Sequence, residues 1–188
     1  MLSIFKNYQN EMINKKLNIK YLSIPSRKLS QKRIKEICSL KNEFWKFGIK
    51  LQLKWFERNV KSYDIHNCMF IKKELIGYTL LRKRKMILNK QINLYYLIDT
   101  VIILQKMRNS KLGNFLMNFN NKTILRSKKI GFLLCKNSLI KFYKKFSWEI
   151  IQKKKFCVLG EKIKLNGMLF NKKVLKLRDN KKRMNFFL

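Results

Sequence analysis

The run 94–104, LYYLIDTVIIL, is the tightest constraint in the sequence: eleven residues rich in Tyr, Ile and Val, interrupted only by Asp99. A strand with one wet face alternates apolar and polar residues, whereas a strand buried on both sides reads as a continuous apolar run. The run falls well short of the roughly 18 residues a membrane-spanning helix requires. It predicts a strand at the centre of a sheet, with packed layers on both faces.

The segments around it fall into a mixed order. Ile34, Ile37 and Cys38 recur at helical spacing after a cap at Ser30, and Trp55, Phe56 and Val60 repeat the pattern over 51–60, with Gly48 between the two helices. The short apolar run 68–71, the polar turn Lys72-Lys73-Glu74 and the β-prone stretch 75–81 read as a hairpin. After the central strand, Asn109 and Ser110 are expected to cap a helix carrying Leu112, Phe115, Leu116 and Phe119 and reaching about Arg126. A buried strand over 130–135, a helix capped by Asn137 or Ser138 with Leu139, Phe142, Tyr143 and Phe146 on one face, and a strand over 148–151 complete the pattern. The order is ααββ, then βαβαβ. Beyond residue 151, 156–159 and 168–170 read as short strands and 172–183 as a basic, peripheral stretch.

The chain has 188 residues, of which 46% are hydrophobic and 13% aromatic, enough to bury a core. With one proline, no Ser/Gly linker and no repeat it reads as a single domain over residues 1–188 with a basic C-terminal segment over 171–188. The net charge of +35 points toward polyanions. That charge is carried by a sequence crowded with Lys, Ile and Asn and empty of Ala, the residues that A/T-rich codons favour and disfavour, so it does not by itself single out a nucleic-acid partner. Cys38, Cys68, Cys135 and Cys157 lack metal-ligand spacing and His66 is the only histidine, so no metal site is expected and the cysteines read as reduced core thiols. The first 20 residues have no apolar signal core and no small-residue cleavage site, so the chain is expected to stay in the cytoplasm.

The chemistry concentrates in 102–117, IILQKMRNSKLGNFLM, where a buried strand enters a turn and then a helix. A helix start of this kind offers unpaired N–H groups and a positive dipole end, which suit a pyrophosphate. Arg108-Asn109-Ser110-Lys111-Leu112-Gly113 resembles the Arg/Gln-x-x-Gly-x-Gly/Ala signature of the GNAT-type N-acyltransferases, with Lys111 at the first glycine position. The segment Asn137 to Trp148, NSLIKFYKKFSW, resembles the later N-x-x-A-x-x-F-Y-x-x-x-G-F segment of that family, with Ser147-Trp148 in place of Gly-Phe, and Leu75-Ile76-Gly77-Tyr78 is similar to part of its second and third strands. The resemblance covers about residues 20–151.

It implies an α+β, three-layer fold whose central, mostly antiparallel sheet is splayed and flanked by helices, with acetyl-coenzyme A entering the gap. The cofactor-binding residues it implies are Ile102, Ile103, Arg108, Asn109, Ser110, Lys111, Leu112, Gly113, Asn137 and Tyr143. The acceptor would be an amine, with Asp99 or a water assisting its deprotonation and Tyr143 serving the departing thiolate. On the residues alone, Asp99 reads also as a strand-end acid paired with one of the many lysines, Tyr143 as a core tyrosine, Asn137 as a helix cap, and Glu74 as a solvated turn acid. Trp45, Trp55 and Phe56 would border the acceptor pocket or pack the core. Two other readings stand beside this one: a member of the same fold that has lost catalysis, motivated by Lys111 and Ser147, and an RNA- or ribosome-binding module using basic clusters such as Arg82-Lys83-Arg84-Lys85.

Overall fold

The computed structural model describes residues 18–175 and 183–188. The elements in chain order are β1 (Ile19–Pro25), α1 (Gln31–Phe44), α2 (Ile49–Asn59), β2 (Ile65–Ile71), β3 (Glu74–Leu88), β4 (Gln91–Ile103), α3 (Leu112–Arg126), β5 (Ile130–Cys135), α4 (Asn137–Lys144), β6 (Glu149–Ile150), β7 (Phe156–Val158), β8 (Asn166–Phe170) and β9 (Met184–Phe186). This is an α+β fold with a mixed sheet flanked by helices. The sheet runs β1-β2-β3-β4-β5-β8-β6, with β9 pairing both β3 and β7. All pairs are antiparallel except β4 with β5 and β7 with β9. The run 94–104 is central as expected, with residues 95–98 buried on successive positions and therefore on both faces.

Side-chain alternation assigns the layers. On β2, His66 stacks against Phe56 of α2, while the adjacent Asn67 donates to Asn120 Oδ1 of α3 at 2.8 Å. On β3, Tyr78 meets His66, and Thr79 Oγ1 accepts from Asn120 Nδ2 at 2.9 Å. Helices α1 and α2 therefore cover one face and α3 the other. The Asn67–Asn120–Thr79 cluster is buried, and each member fills the other's hydrogen-bonding need. It fixes α3 along its axis, and hence the position of its N-terminus.

A second polar anchor ties the end of α2 to the sheet. Buried Asp64 accepts from the backbone N–H groups of Lys61 and Lys83 and from both Nη atoms of Arg84, at 2.8 to 3.2 Å. Arg84 also reaches the carbonyl of Asn59 at 3.2 Å. Breaking such a pair from one side strands a buried charge.

The structure departs from the sequence expectations at several points. The strand β1 was not anticipated. Within the stretch 172–183 the described Lys172, Lys173, Val174 and Arg183 are exposed as expected, but the residues after it, which were not read as core, enter it: Met184 and Phe186 are buried, Phe186 stacks on Phe132 with centroids 3.8 Å apart, and Tyr95 donates its hydroxyl proton to the Phe187 carbonyl at 2.6 Å. Residues 176–182 of that stretch lie outside the described residues. Ser30 caps α1 as expected, accepting from Arg33 N. Asn109 and Ser110 do not cap α3, nor Asn137 or Ser138 α4; those N-cap positions belong to Lys111 and Lys136, without a side-chain bond. Cys38, Cys68 and Cys135 are buried free thiols, and the less buried Cys157 donates to Asn185 Oδ1.

His66 is fully buried, shares hydrogen bonds with Ser26 and Tyr78 at 2.8 Å each, and is pushed down to about 4 by burial. Between that value and about 6.5 the unfolded chain binds a proton that the folded chain refuses, so stability rises with pH across the window and falls as pH drops through it. At about 1.4 kcal/mol per pH unit the loss reaches about 3 kcal/mol near pH 4. Urea titrations at about pH 7 and about pH 4 should show this loss in the native sequence and a much smaller one in His66→Gln; equal losses would mean that His66 is protonated in the fold.

Candidate functional site

Strands β4 and β5 share only three paired positions, Tyr95↔Ile130, Tyr96↔Gly131 and Leu97↔Phe132. Past Leu97 the two strands keep other partners: β4 continues against β3 as far as Ile103↔Gly77, and β5 against β8 as far as Cys135↔Asn166. The sheet therefore opens between them. The opening begins where β4 carries an extra residue, because Leu80 pairs Thr100 and Leu81 pairs Ile98, leaving Asp99 unmatched in a β-bulge. A bulge bends its strand and increases local twist.

The backbone on the β4 side of this gap is available to a ligand. Leu104 N donates to Ile76 O at 2.8 Å, and antiparallel hydrogen bonding alternates along a strand. Ile102 thus bonds toward β3, while the N–H and C=O groups of Val101 and Ile103 face the gap. Of the two residues expected to line the site here, Ile103 presents its backbone and Ile102 its buried packing.

At the end of β4 the chain turns into α3 through two left-handed residues, Asn109 (φ 63°) and Lys111 (φ 62°). Lys111 adopts the conformation that a glycine takes at no steric cost. Ser147, at the other position where a glycine was expected, is left-handed too (φ 62°). The backbone N–H groups of Asn109, Ser110, Lys111, Leu112 and Gly113 make no hydrogen bond among the described residues. Successive unpaired N–H groups at a helix N-terminus form an anion-binding concavity. Lys111, Ser110 and Arg108 are exposed around it, Arg108 packing its guanidinium 3.8 Å over the Phe44 ring. The Ser110 hydroxyl donates to the Met107 carbonyl and shapes the turn, and Leu112 is buried beneath it.

Across the gap, α4 comes close to this helix start. A Cβ on Gly113 would sit 3.6 Å from Phe142 Cζ, an ordinary contact, so the glycine is not required by the fold itself. The neighbouring Tyr143 is buried among Trp148 and Phe142, and its hydroxyl makes no hydrogen bond among the described residues. Burial, reinforced by Cys135, pushes its phenol up to about 12, so it is held protonated. Asn137 does not cap; its Oδ1 accepts from Asn166 Nδ2 at 2.6 Å, at the mouth between β5 and β8.

Asp99 points toward a second recess. Its carboxylate accepts from Arg82 Nη1 at 3.3 Å, an arginine rather than one of the many lysines. With Thr100 it borders a cavity of about 380 Å³ whose walls are Trp45, Phe47, Leu51 and Trp55, and into which Lys41 and Gln52 also reach. Gln52 donates to the Trp45 carbonyl at 2.9 Å, which holds the α1–α2 connection over the cavity. Phe56 is not part of it and packs in the core on His66. Glu74 is exposed and pairs with Lys106 at the far end of the hairpin. Lys41 and Gln52 were missed in the sequence. Lys41 lies seven residues after Ile34, on the same helical face, which is the signal that places it inward.

Comparison with solved structures gives the architecture its place. The chain superposes on Escherichia coli ElaA with a TM-score of 0.60 and 18% identity, covering 80% of this chain and 98% of that one. An acyl-CoA N-acyltransferase from Pseudomonas aeruginosa matches with 0.60 and 15% over 80% and 98%. The GNAT family N-acetyltransferase YhbS of Escherichia coli, solved in complex with CoA, matches with 0.64 and 11% over 90% and 89%. The fold is GNAT-like. No family model and no curated protein matches at the level of sequence, so the likeness is one of architecture. Among the described residues no helix is long and apolar enough to cross a membrane.

A GNAT-like turn built on a left-handed lysine carries strain that glycine lacks, about 1 kcal/mol. Lys111→Gly is expected to raise the unfolding free energy by about that amount, read as a higher urea midpoint at unchanged slope, whereas Lys111→Ala leaves the midpoint unchanged. A destabilised glycine variant would mean that the lysine side chain itself holds the turn.

Proposed function

We propose that the chain is an N-acyltransferase that moves an acetyl group from acetyl-coenzyme A directly to an amine. The observation that carries this reading is the coincidence of two features: the gap between β4 and β5 opens beside five consecutive unpaired N–H groups at the start of α3. In the proposal those N–H groups and the exposed Arg108 and Lys111 receive the pyrophosphate. The outward-facing backbone of Val101 and Ile103 aligns the pantetheine arm as a third strand would be aligned, with Asn137 bordering it from α4.

An alkylamine acceptor is protonated at neutral pH, and freeing its lone pair costs about 4 to 5 kcal/mol for a pKa near ~10.4. Asp99, directly or through a water it holds, takes that proton; Arg82 fixes the orientation of its carboxylate. The amine nitrogen bonds to the acetyl carbonyl carbon, the carbon–sulfur bond breaks, and the second proton of the nitrogen goes to the departing thiolate. Tyr143, held protonated by burial, donates its hydroxyl hydrogen bond to the departing thiolate. The structure gives less support to the nucleic-acid reading, because two of the four cations in 82–85 are engaged internally, Arg82 with Asp99 and Arg84 with buried Asp64.

Calorimetry with acetyl-coenzyme A at about 0.3 M salt, where loose surface contacts are screened, should give saturable one-site binding that ATP does not displace. Absence of binding overturns the proposal in favour of a fold that has lost catalysis. Tyr143→Phe is expected to lower kcat about 100-fold while the affinity for acetyl-coenzyme A stays within about twofold; an unchanged kcat removes Tyr143 from the mechanism.

A further inference from the structure

Lys41 occupies a position where a lysine is costly. It lies on the buried face of α1, is 5% exposed, and its Nζ stands 3.6 Å from the centre of the Trp55 ring. Among the described residues its ammonium makes no ion pair and no hydrogen bond. Nor is its ammonium sealed in the core, since Lys41 lines the cavity of about 380 Å³ that Asp99 and Thr100 border. Burial pushes the amine below its ordinary value, and the Asp99 carboxylate opposes that shift. A buried cation whose closest partner is an aromatic face remains short of a counter-charge.

The rest of the cavity narrows what would supply one. Trp45, Phe47 and Leu51 give it apolar walls, and Asp99 already has Arg82 as its partner. A volume of about 380 Å³ is at the small end of ligand sites, which run from roughly 300 to 1,000 Å³; it suits a metabolite better than a peptide or a nucleic-acid strand. Cation, anion and apolar wall thus border one small space.

We propose that the acceptor is an amine carrying its own carboxylate and an apolar side chain, an apolar or aromatic α-amino acid. Its carboxylate pairs with Lys41, its side chain lies between Trp45, Phe47 and Leu51, and its amine is directed to Asp99 and Thr100. The inference rests on the acyltransferase reading and names its substrate class. The products are the N-acetyl amino acid and free coenzyme A: the new nitrogen–carbon bond replaces the carbon–sulfur bond, the ammonium's first proton passes to Asp99 or water before attack, its second neutralises the departing thiolate, and the carboxylate stays on Lys41.

The test uses the full chain, acetyl-coenzyme A and two equimolar mixtures, with products read by mass. One mixture holds leucine, methionine, phenylalanine, tyrosine and tryptophan; the other holds isoamylamine, 3-(methylthio)propylamine, phenethylamine, tyramine and tryptamine, the same side chains without the carboxylate. At least one amino acid is expected to be acetylated about 10-fold faster than its decarboxylated partner. Lys41→Met should erase that ratio, mainly through KM, and Lys41→Arg should retain it. Thermal midpoints check the variants; Lys41→Met is expected to melt no lower than the parent, because an apolar chain replaces a buried unpaired charge.

Equal or faster acetylation of the amines overturns the proposal, as does a ratio that survives Lys41→Met, or no acetylation of either mixture by a protein that binds acetyl-coenzyme A. A protein that does not bind acetyl-coenzyme A overturns the acyltransferase reading instead. In that case calorimetry with the amino acids alone decides the pocket: binding to the parent and not to Lys41→Met supports it, and binding to neither overturns it.

Discussion

The constraint on which the site depends is the shortness of one ladder. Strands β4 and β5 are held together at three positions and then separate, each retained by its other neighbour. Below the separation, Tyr95, Leu97, Ile130 and Phe132 belong to one packed cluster that the C-terminal Phe186 completes, so the two strands cannot drift apart at their base. Above it, the Asp99 bulge turns β4 aside. Parallel strands that stayed paired would satisfy their own N–H and C=O groups and leave nothing for a ligand to bond. Here the outward groups of Val101 and Ile103 are left over, a few residues before the turn that supplies five more donors.

That geometry needs α3 to begin at a fixed place, and buried polar groups fix it. Asn120 sits two turns into the helix and bonds to both β2 and β3. Hydrophobic contacts alone would tolerate a slide of the helix along the sheet, whereas these bonds are directional and leaving them unmade inside the protein costs about 1 to 3 kcal/mol each. The Asp64–Arg84 pair does similar work for α2, whose position sets one wall of the cavity near Asp99. Stability and site geometry are therefore coupled through a few side chains remote from the chemistry.

How much of this was legible in the sequence follows from how each feature is encoded. The central strand is written as a continuous apolar run, and α1, α2 and α3 as apolar stripes, so their placement was readable. Strand β1 is an edge strand with Pro25 at its end and burial largely confined to Ile19, so it carries no period-two signal. Strand β9 is three residues long and reaches its place only through contacts distant in sequence, with Phe132 and Tyr95. The turn from β4 into α3 was legible through the motif resemblance over Arg108 to Gly113, and the helix that carries Tyr143 through the second one. The candidate site was illegible at Lys41, because one lysine among so many reads as surface until its helical phase is considered.

The two missing glycines show why a motif fades faster than the structure it describes. A pyrophosphate cradle is made of backbone N–H groups, and what those groups require is a left-handed turn rather than any particular side chain. Lys111 and Ser147 both reach φ 62° without being glycine, at a conformational cost that a packed domain absorbs. Where neighbouring packing holds such a backbone path in place, the residues along it have freedom to differ. The fold is shared with GNAT-like structures at identities of only 18 and 11%. In the proposed reaction Lys41 and Asp99 act through their own charge and have no such freedom, so it is on them rather than on the glycine pattern that the proposal for this chain rests.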